Sequence, residues 1–418
     1  MSKPVLTIFY QFNPWHTSIG GIQTVIRSFV KYSPSEFEVR LVGTENEPTQ
    51  PLGVWRDAEF AGKAIRFMPL LTLPNDNVRK LVPTTIKYTA ALLGRNLASD
   101  FMHFHRLEPT LAALKWSGEK TLFIHNDIHK QIADSSANKD GILWRRFPRA
   151  YFALEHLLVK QFAQILSCNT ESLNLYRQRY PDLADRVDYI KNTVDHEICY
   201  PLSLDERQQG RRRLAQQMGL PEDTRFILFA GRLQVQKDPV LLLQSLAALN
   251  EPNVHLLIVG DGDLRDKIRS EIGCLGLSKQ VTMLGAVAQA ELAQLQRICS
   301  VFVLTSAYEG LPVVVLEALA CGTPVVTTRC GETPNLLSTG SGVVCQERTP
   351  AAIADALRKV LLHPGDYPVE ACVQAAEPYS ARSVVSTVYS EMLSRWELKN
   401  SRSSTQTSST TIREVASL

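Results

Sequence analysis

Two series of short apolar runs, each alternating with helix-forming stretches, constrain this 418-residue chain more than any other feature. The first series reads VLTIFYQF (5–12), FEVRLVG (37–43), DFMHFH (100–105), TLFIHND (121–127), QILSCN (164–169) and VDYIKN (187–192). A polar segment between Val194 and Thr224 interrupts it. The second then reads RFILFAG (225–231), NVHLLIVG (253–260), QVTML (280–284), VFVLTS (301–306) and TPVVTT (323–328). Strands alternating with helices imply parallel, doubly wound sheets, and a chain of this length exceeds one ordinary core. The expectation is an α/β protein of two doubly wound Rossmann-like domains, 1–196 and 197–379. A helical segment over 380–398 closes the fold. Residues 399–418 form a Ser/Thr-rich tail with too little apolar content to fold alone, so disorder is expected there.

In such sheets the ligand edge lies at the strand C-termini. The stretch VFVLTSAYEGLPVVVLEALACG (301–322) occupies that position: a strand, a loop and a helix from Pro312 to Cys321, with Pro312 at the first helical position and Gly322 as a left-handed stop. A helix N-terminus there offers free N–H groups and a positive dipole end to a phosphate. Glu309 sits in the loop and Glu317 two turns inside the helix, where it can only face a ligand or a buried partner. Taken alone, the stretch fits a ligand frame or two unrelated acids equally. In FILFAGRLQVQKDP, Arg232 and Lys237 follow a strand and precede a helix, so a guanidinium and an ammonium can converge on one diphosphate; a solvated charge pair is the competing reading. Gly260 and Gly262 make a turn that lets a nucleotide or sugar approach, and Gly20 and Gly21 open the first helix, from about Ile22 to Tyr32.

A net charge of +3 with 21% charged residues argues against nucleic-acid binding and leaves a small anionic ligand compatible. The eight cysteines show no CxxC pairing and read as free buried thiols. With no basic leader before the first strand and no apolar run of membrane-span length, a cytoplasmic location is expected.

The ordered set of GG at 20–21, GR…K at 231–237, GxG at 260–262, EG…E at 309–317 and GTPVV at 322–326 resembles the retaining glycosyltransferases of family four, which carry two Rossmann-like domains facing across a cleft, the GT-B arrangement. The resemblance implies that Arg232 and Lys237 hold the donor diphosphate, that Glu317 binds the ribose hydroxyls, and that Glu309 faces the transferred sugar. Backbone N–H groups from Leu311 to Val314, with Gly310, Pro312 and Val313 around them, would complete the phosphate site. His125 would contact the sugar, Gly20 and Gly21 would meet the donor on closure, and 380–398 would cross back to the first domain. IKNTVD (190–195) resembles the family's junction segment, with Thr193 where Gly is usual. CGETPNLL (330–337) departs further, with Glu332 and Asn335 replacing a Gly and a Glu in a loop that meets the donor.

By that resemblance the chain moves a hexose-type sugar from a nucleotide diphosphate sugar to a hydroxyl of a glycan or lipid-linked glycan, in polysaccharide or glycoconjugate biosynthesis. Charge growing on the departing diphosphate is met by Arg232, Lys237 and the helix dipole, so no metal and no cofactor is expected. His103, His105 and His129 read as satisfied structural histidines. Basic, aromatic stretches at 77–96 and 143–161 suggest a peripheral membrane contact at the inner face, although Pro83 and Pro148 interrupt them and ordinary packing helices fit better. Two other readings stay open: a hydrolysing epimerase of the same fold, and a catalytically silent nucleotide-sugar-binding protein.

Overall fold

The computed structural model describes residues 3–15, 20–47, 51–73, 83–125, 132, 144 and 147–415, with side chains to residue 401. His129 and parts of 77–96 and 143–161 lie outside the described residues.

The N-terminal half forms an eight-stranded sheet from β1 (Val5–Phe9), β2 (Glu38–Glu45), β3 (Arg56–Phe60), β4 (Lys63–Thr72), β5 (Phe101–Phe104), β6 (Glu119–Ile124), β7 (Gln164–Ser167) and β8 (Val187–Tyr189). Their order is 3-4-2-1-5-6-7-8. Every pairing is parallel except the β3–β4 hairpin at the edge. That hairpin is absent from the sequence reading. Its turn uses Ala61 and Gly62, both at positive φ, in place of the Asn-Gly pair that signals such turns.

The second sheet holds β9 (Arg225–Ala230), β10 (Val254–Val259), β11 (Val281–Gly285), β12 (Val301–Leu304), β13 (Val325–Thr327) and β14 (Gly342–Val344), all parallel, in the order 11-10-9-12-13-14. Both sheets are α/β and doubly wound, as expected. In each, the winding direction reverses at one place, between β1 and β5 and between β9 and β12, and the loops leaving those strands open a crevice. Strands β9, β10 and β12 are apolar on both faces, so a core lies on each side of the sheet.

The chain crosses between the halves twice, side by side. Val194 N–H donates to Tyr379 O (2.9 Å) and Ala381 N–H to Val194 O (2.9 Å). The closing helix, Ala381–Val415, then returns to the first sheet: Val385, Tyr389 and Met392, spaced four and three apart, are buried with Phe29 and Phe37, and Tyr389 Oη donates to Phe29 O (3.0 Å). Arg395 is anchored on Glu119 (2.9 Å). The backbone of this helix is described as far as Val415. No Gly or Pro follows Pro378, so no breaker stops a helix already fixed by its first turns.

Pro148 and Pro83 do not interrupt helices, as expected, but start them, at the first position of Pro148–Leu158 and as the cap of Thr84–Leu92. In the former, Tyr151, Glu155 and Leu158 face inward, the stripe of an ordinary packing helix. Among the described residues no helix is long and apolar enough to cross a membrane.

Candidate active site

The loops leaving β9 and β12 meet over the reversal point of the second sheet. Lys237 Nζ lies 2.5 Å from Glu309 Oε1, with the two side chains only 16% and 5% exposed. Ala307 N–H donates to Gln236 O (2.8 Å), Gln236 Nε2 to Tyr308 O (2.9 Å) and Thr305 Oγ1 to Lys237 O (2.9 Å), which fixes one loop on the other. The sequence reading gave these two charges separate tasks and missed their pairing, because nothing in a sequence registers loops 72 residues apart.

Asp238, beside Lys237, adopts a left-handed backbone (φ 45°) and caps the helix Pro239–Leu249 by accepting from Leu241 N–H (3.2 Å). An Asp-Pro pair at a helix start signals such a cap, so this residue could have been found. Its ion-pair partner Arg348 could not. The glycine turn after β10 packs closely on the loop that follows β9. A Cβ at Gly260 would overlap Gly231 O, and one at Gly262 would come within 2.6 Å of Leu233 O. On the side where a Cβ would stand, the loop carrying Arg232 packs against both glycines.

The helix after β12 spans Val313–Ala320, with Pro312 as its cap residue (φ −70°, ψ 117°) and not its first helical residue. Its first N–H groups have no carbonyl within the helix to receive them. Gly322 ends it at φ +73°, as expected. Glu317 is buried, and its Oε1 accepts from Gln289 Nε2 (2.9 Å). Burial pushes its carboxyl pKa up, and the Gln289 hydrogen bond works against that shift.

The first sheet presses directly on this helix. A Cβ on Gly21 would lie 3.2 Å from Val313 Cγ2, a Cβ on Gly20 would lie 3.9 Å from a terminal nitrogen of Arg232, and a Cβ on Gly310 would overlap the carbonyl oxygen of His125. Asn192 Nδ2 donates to Leu311 O (2.6 Å). Asp195, in the same junction segment, takes hydrogen bonds from Lys31 (2.6 Å) and Tyr32 (2.7 Å). The predicted site residues of both halves, Gly20, Gly21, His125, Arg232, Lys237, Glu309 to Val313 and Glu317, thus flank one crevice.

His125 has a partner the sequence reading missed. Its Nε2 lies 2.8 Å from Nδ1 of His105, and the two rings stack at 5.1 Å. Burial lowers both pKa values, that of His125 to about 3 with Arg106 adding to the effect, so both rings are neutral near pH 7. Nε2 of His105 is buried without a partner among the described residues. An orphaned N–H is rarer in buried sites than an orphaned acceptor, so the His105 proton belongs on Nδ1, donating to His125 and leaving the His125 proton on its own Nδ1. Among the described residues His103 Nδ1 and His105 Nε2 both lack partners, which differs from the satisfied structural histidines expected.

Glu332 and Asn335, the departures from the family pattern, prove to be one unit. Glu332 Oε1 accepts from the N–H (2.6 Å) and hydroxyl (2.5 Å) of Thr170, and Glu332 Oε2 accepts from Asn335 Nδ2 (3.1 Å). Thr170 opens the helix Thr170–Arg179 of the first half, so this carboxylate bridges the halves at a positive helix end. Charge-assisted bonds of this kind contribute about 1.5–3 kcal/mol each. Glu332→Ala is expected to lower catalytic efficiency roughly 10- to 100-fold while the circular dichroism spectrum and melting temperature stay near those of the parent. Solution scattering should also report a more open molecule; an unchanged radius of gyration together with unchanged kinetics would remove the bridge from consideration.

Residues 210–377 match the glycosyl transferases group 1 family. An uncharacterized glycosyltransferase of Methanocaldococcus jannaschii is 29% identical over 56% of this chain and 59% of its own length. A D-inositol 3-phosphate glycosyltransferase of Xylanimonas cellulosilytica is 32% identical over 50% of this chain and 51% of its own. The chain thus spans about half the length of the curated relatives it matches. Among solved structures, sucrose-phosphate synthase from Thermosynechococcus elongatus superposes with a TM-score of 0.76 at 17% identity, over 95% of this chain and 100% of that one. Anabaena HepE in complex with UDP-glucose gives 0.68 at 18%, over 94% and 100%. The two doubly wound sheets and these structural matches agree on the GT-B fold, and residues 210–377 carry the match to the glycosyl transferases group 1 family.

Proposed function

We propose that this protein is a retaining glycosyltransferase that moves a hexose-type sugar from a nucleotide diphosphate sugar to a hydroxyl of a glycan or lipid-linked glycan. The observation that carries the reading is the Lys237–Glu309 pair at the reversal point of the second sheet, with Glu317 in the helix behind it and His125 across the crevice. A nucleoside fits beside Glu317, and its diphosphate fits between Arg232, Lys237 and the N-terminus of Val313–Ala320. As the bond to the anomeric carbon breaks, charge grows on the departing phosphate, and these cations lie where it grows. That phosphate takes the proton of the acceptor hydroxyl on the same face, so no side chain needs to act as nucleophile. Glu309 and the neutral His125 position the sugar, His125 through its Nδ1–H.

UDP-glucose bound to HepE supports this class of donor, and the glycosyltransferase names of the relatives support the class of reaction. Cytoplasmic action completes the proposal.

The test is to incubate the purified protein with UDP, GDP and ADP sugars, with and without candidate glycan acceptors, and to measure nucleotide release. Release that depends on acceptor supports transfer. Equal release without acceptor indicates a hydrolysing epimerase, and no release with any donor, despite binding, indicates a silent nucleotide-sugar-binding protein.

A further inference from the structure

We propose that Gln289 is a positioning residue of the nucleotide site: it orients the Glu317 carboxylate so that the chain selects a ribonucleoside diphosphate over its deoxy forms. This deepens the glycosyl-transfer reading and rests on it. Gln289 opens the helix Gln289–Ile298, which follows β11 and lies against Val313–Ala320. The cap residue of that helix, Ala288, makes no side-chain cap hydrogen bond. The amide of Gln289 is spent outside its own helix, its Nε2 donating to Glu317 Oε1 (2.9 Å).

Glu317 depends on that contact. Its side chain is buried, no ion pair joins it to a described residue, and the Gln289 amide is the one hydrogen-bond donor it receives among the described residues. Burial works against the carboxylate charge, and the Gln289 N–H works for it. The last torsion of a glutamate side chain is broad and roughly two-fold, so its own bonds do not fix the plane of the carboxylate. A donor anchored on Oε1 does. Glu317 Oε2 accepts no hydrogen bond from a described residue and is not sealed from solvent, so it is the oxygen open to a ligand.

The anchor is itself rigid. Gln296 Nε2 donates to Val314 O (3.1 Å), Thr323 Oγ1 to Gln296 O, and Cys321 Sγ to Ala293 O (3.7 Å), which pins Gln289–Ile298 along Val313–Ala320 at both ends. Gln289, Ala293 and Gln296 are spaced four and three apart, on one face of their helix. A site carried on two clamped helices holds its geometry better than one carried on loops. An ionised carboxylate only accepts hydrogen bonds, and neighbouring ribose hydroxyls each offer a donor. A carboxylate held in one plane registers a missing hydroxyl, whereas one free to rotate adjusts to the hydroxyl that remains.

The test is calorimetric titration of the full chain with UDP, GDP and ADP, and then with the 2′-deoxy and 2′,3′-dideoxy forms of whichever binds. The parent is expected to favour the ribonucleotide over the dideoxy form by roughly 10- to 100-fold, the scale of hydrogen bonds to a charged group. Gln289→Met keeps the length of the side chain and removes the amide. We expect it to shrink that preference to about threefold or less, through weaker ribonucleotide binding, with the donor KM raised and kcat near the parental value. In a Glu317→Ala background the same substitution should change nothing further, since Gln289 acts through that carboxylate. If Gln289→Met fails to fold, Gln289→Asn serves, because it keeps the amide but is too short to reach. Equal binding of ribo- and dideoxynucleotide by the parent overturns the proposal, as does a parental preference in the folded variant. A loss of affinity equal for both nucleotides also overturns it, being the mark of a merely structural contact. Binding of none of the three diphosphates by the parent would instead overturn the donor-site reading beneath it, so the two failures are distinguishable.

Discussion

Gly310→Ala is expected to reduce donor turnover at least ~100-fold, the scale of loss that follows a misplacement of about 1 Å at a reacting centre. Gly310 does not need to be glycine for its backbone conformation. It needs to be glycine because its missing Cβ is where the His125 carbonyl oxygen sits, with Cys168 Sγ also within 3.5 Å of that position. Both obstacles belong to the first half of the chain, and Gly310 to the second. The added methyl therefore has to part the crevice, taking Glu309 and the start of Val313–Ala320 away from His125, while each sheet keeps its own core. Overpacking inside a core costs about 1–3 kcal/mol, and here that strain is relieved by opening, so the melting temperature should fall little. Gly273→Ala is the control. It lies in the helix Arg265–Cys274, a Cβ there would meet nothing within 4 Å, and it should stabilise by about 0.4–1 kcal/mol with turnover unchanged. Parental turnover in Gly310→Ala would mean that the closed arrangement is not the working one.

That prediction could not have been written from the sequence, and the reason is general to this chain. The strand–helix alternation and the glycine stop at Gly322 are local patterns, and period and punctuation carried them. The helix start at Pro312 was misplaced by one residue, because a proline ring suits the cap position as well as the first helical one. The Lys237–Glu309 pair, the His105–His125 contact and the Glu332–Thr170 bridge join residues 72, 20 and 162 positions apart; strand pairing within one sheet brings the first two together, and the meeting of the two halves the third. The sequence departure at Glu332 and Asn335 did flag a place where the usual loop is altered. Its meaning, a carboxylate spanning the crevice and held by its own neighbour, lies in the tertiary structure. Gly262 follows the same logic: the sequence records a close approach, and only the structure shows that Leu233 O is one of the groups that come close.

Lys237→Ala and Glu317→Ala should fail in different ways, and the contrast tests the division of labour between the two sides of the donor site. Lys237 opposes charge that grows as the sugar departs, so its loss should appear in kcat, by about 10²–10³-fold, the usual effect of removing one such donor. Glu317 would hold the part of the donor that does not react. Its loss should raise KM for the donor roughly 10- to 100-fold with little change in kcat, the scale of one or two hydrogen bonds to a charged group. Lys237→Ala carries a second cost, because Glu309 is then left buried without its counter-ion, and breaking a buried pair in this way costs about 3–5 kcal/mol. Adding Glu309→Gln removes that stranded charge. The double variant should therefore recover most of the lost melting temperature and none of the lost kcat. If kcat returned together with stability, Lys237 would be a structural partner of Glu309 and not a group that meets the leaving phosphate. Unchanged kinetics in both single variants would refute the site assignment.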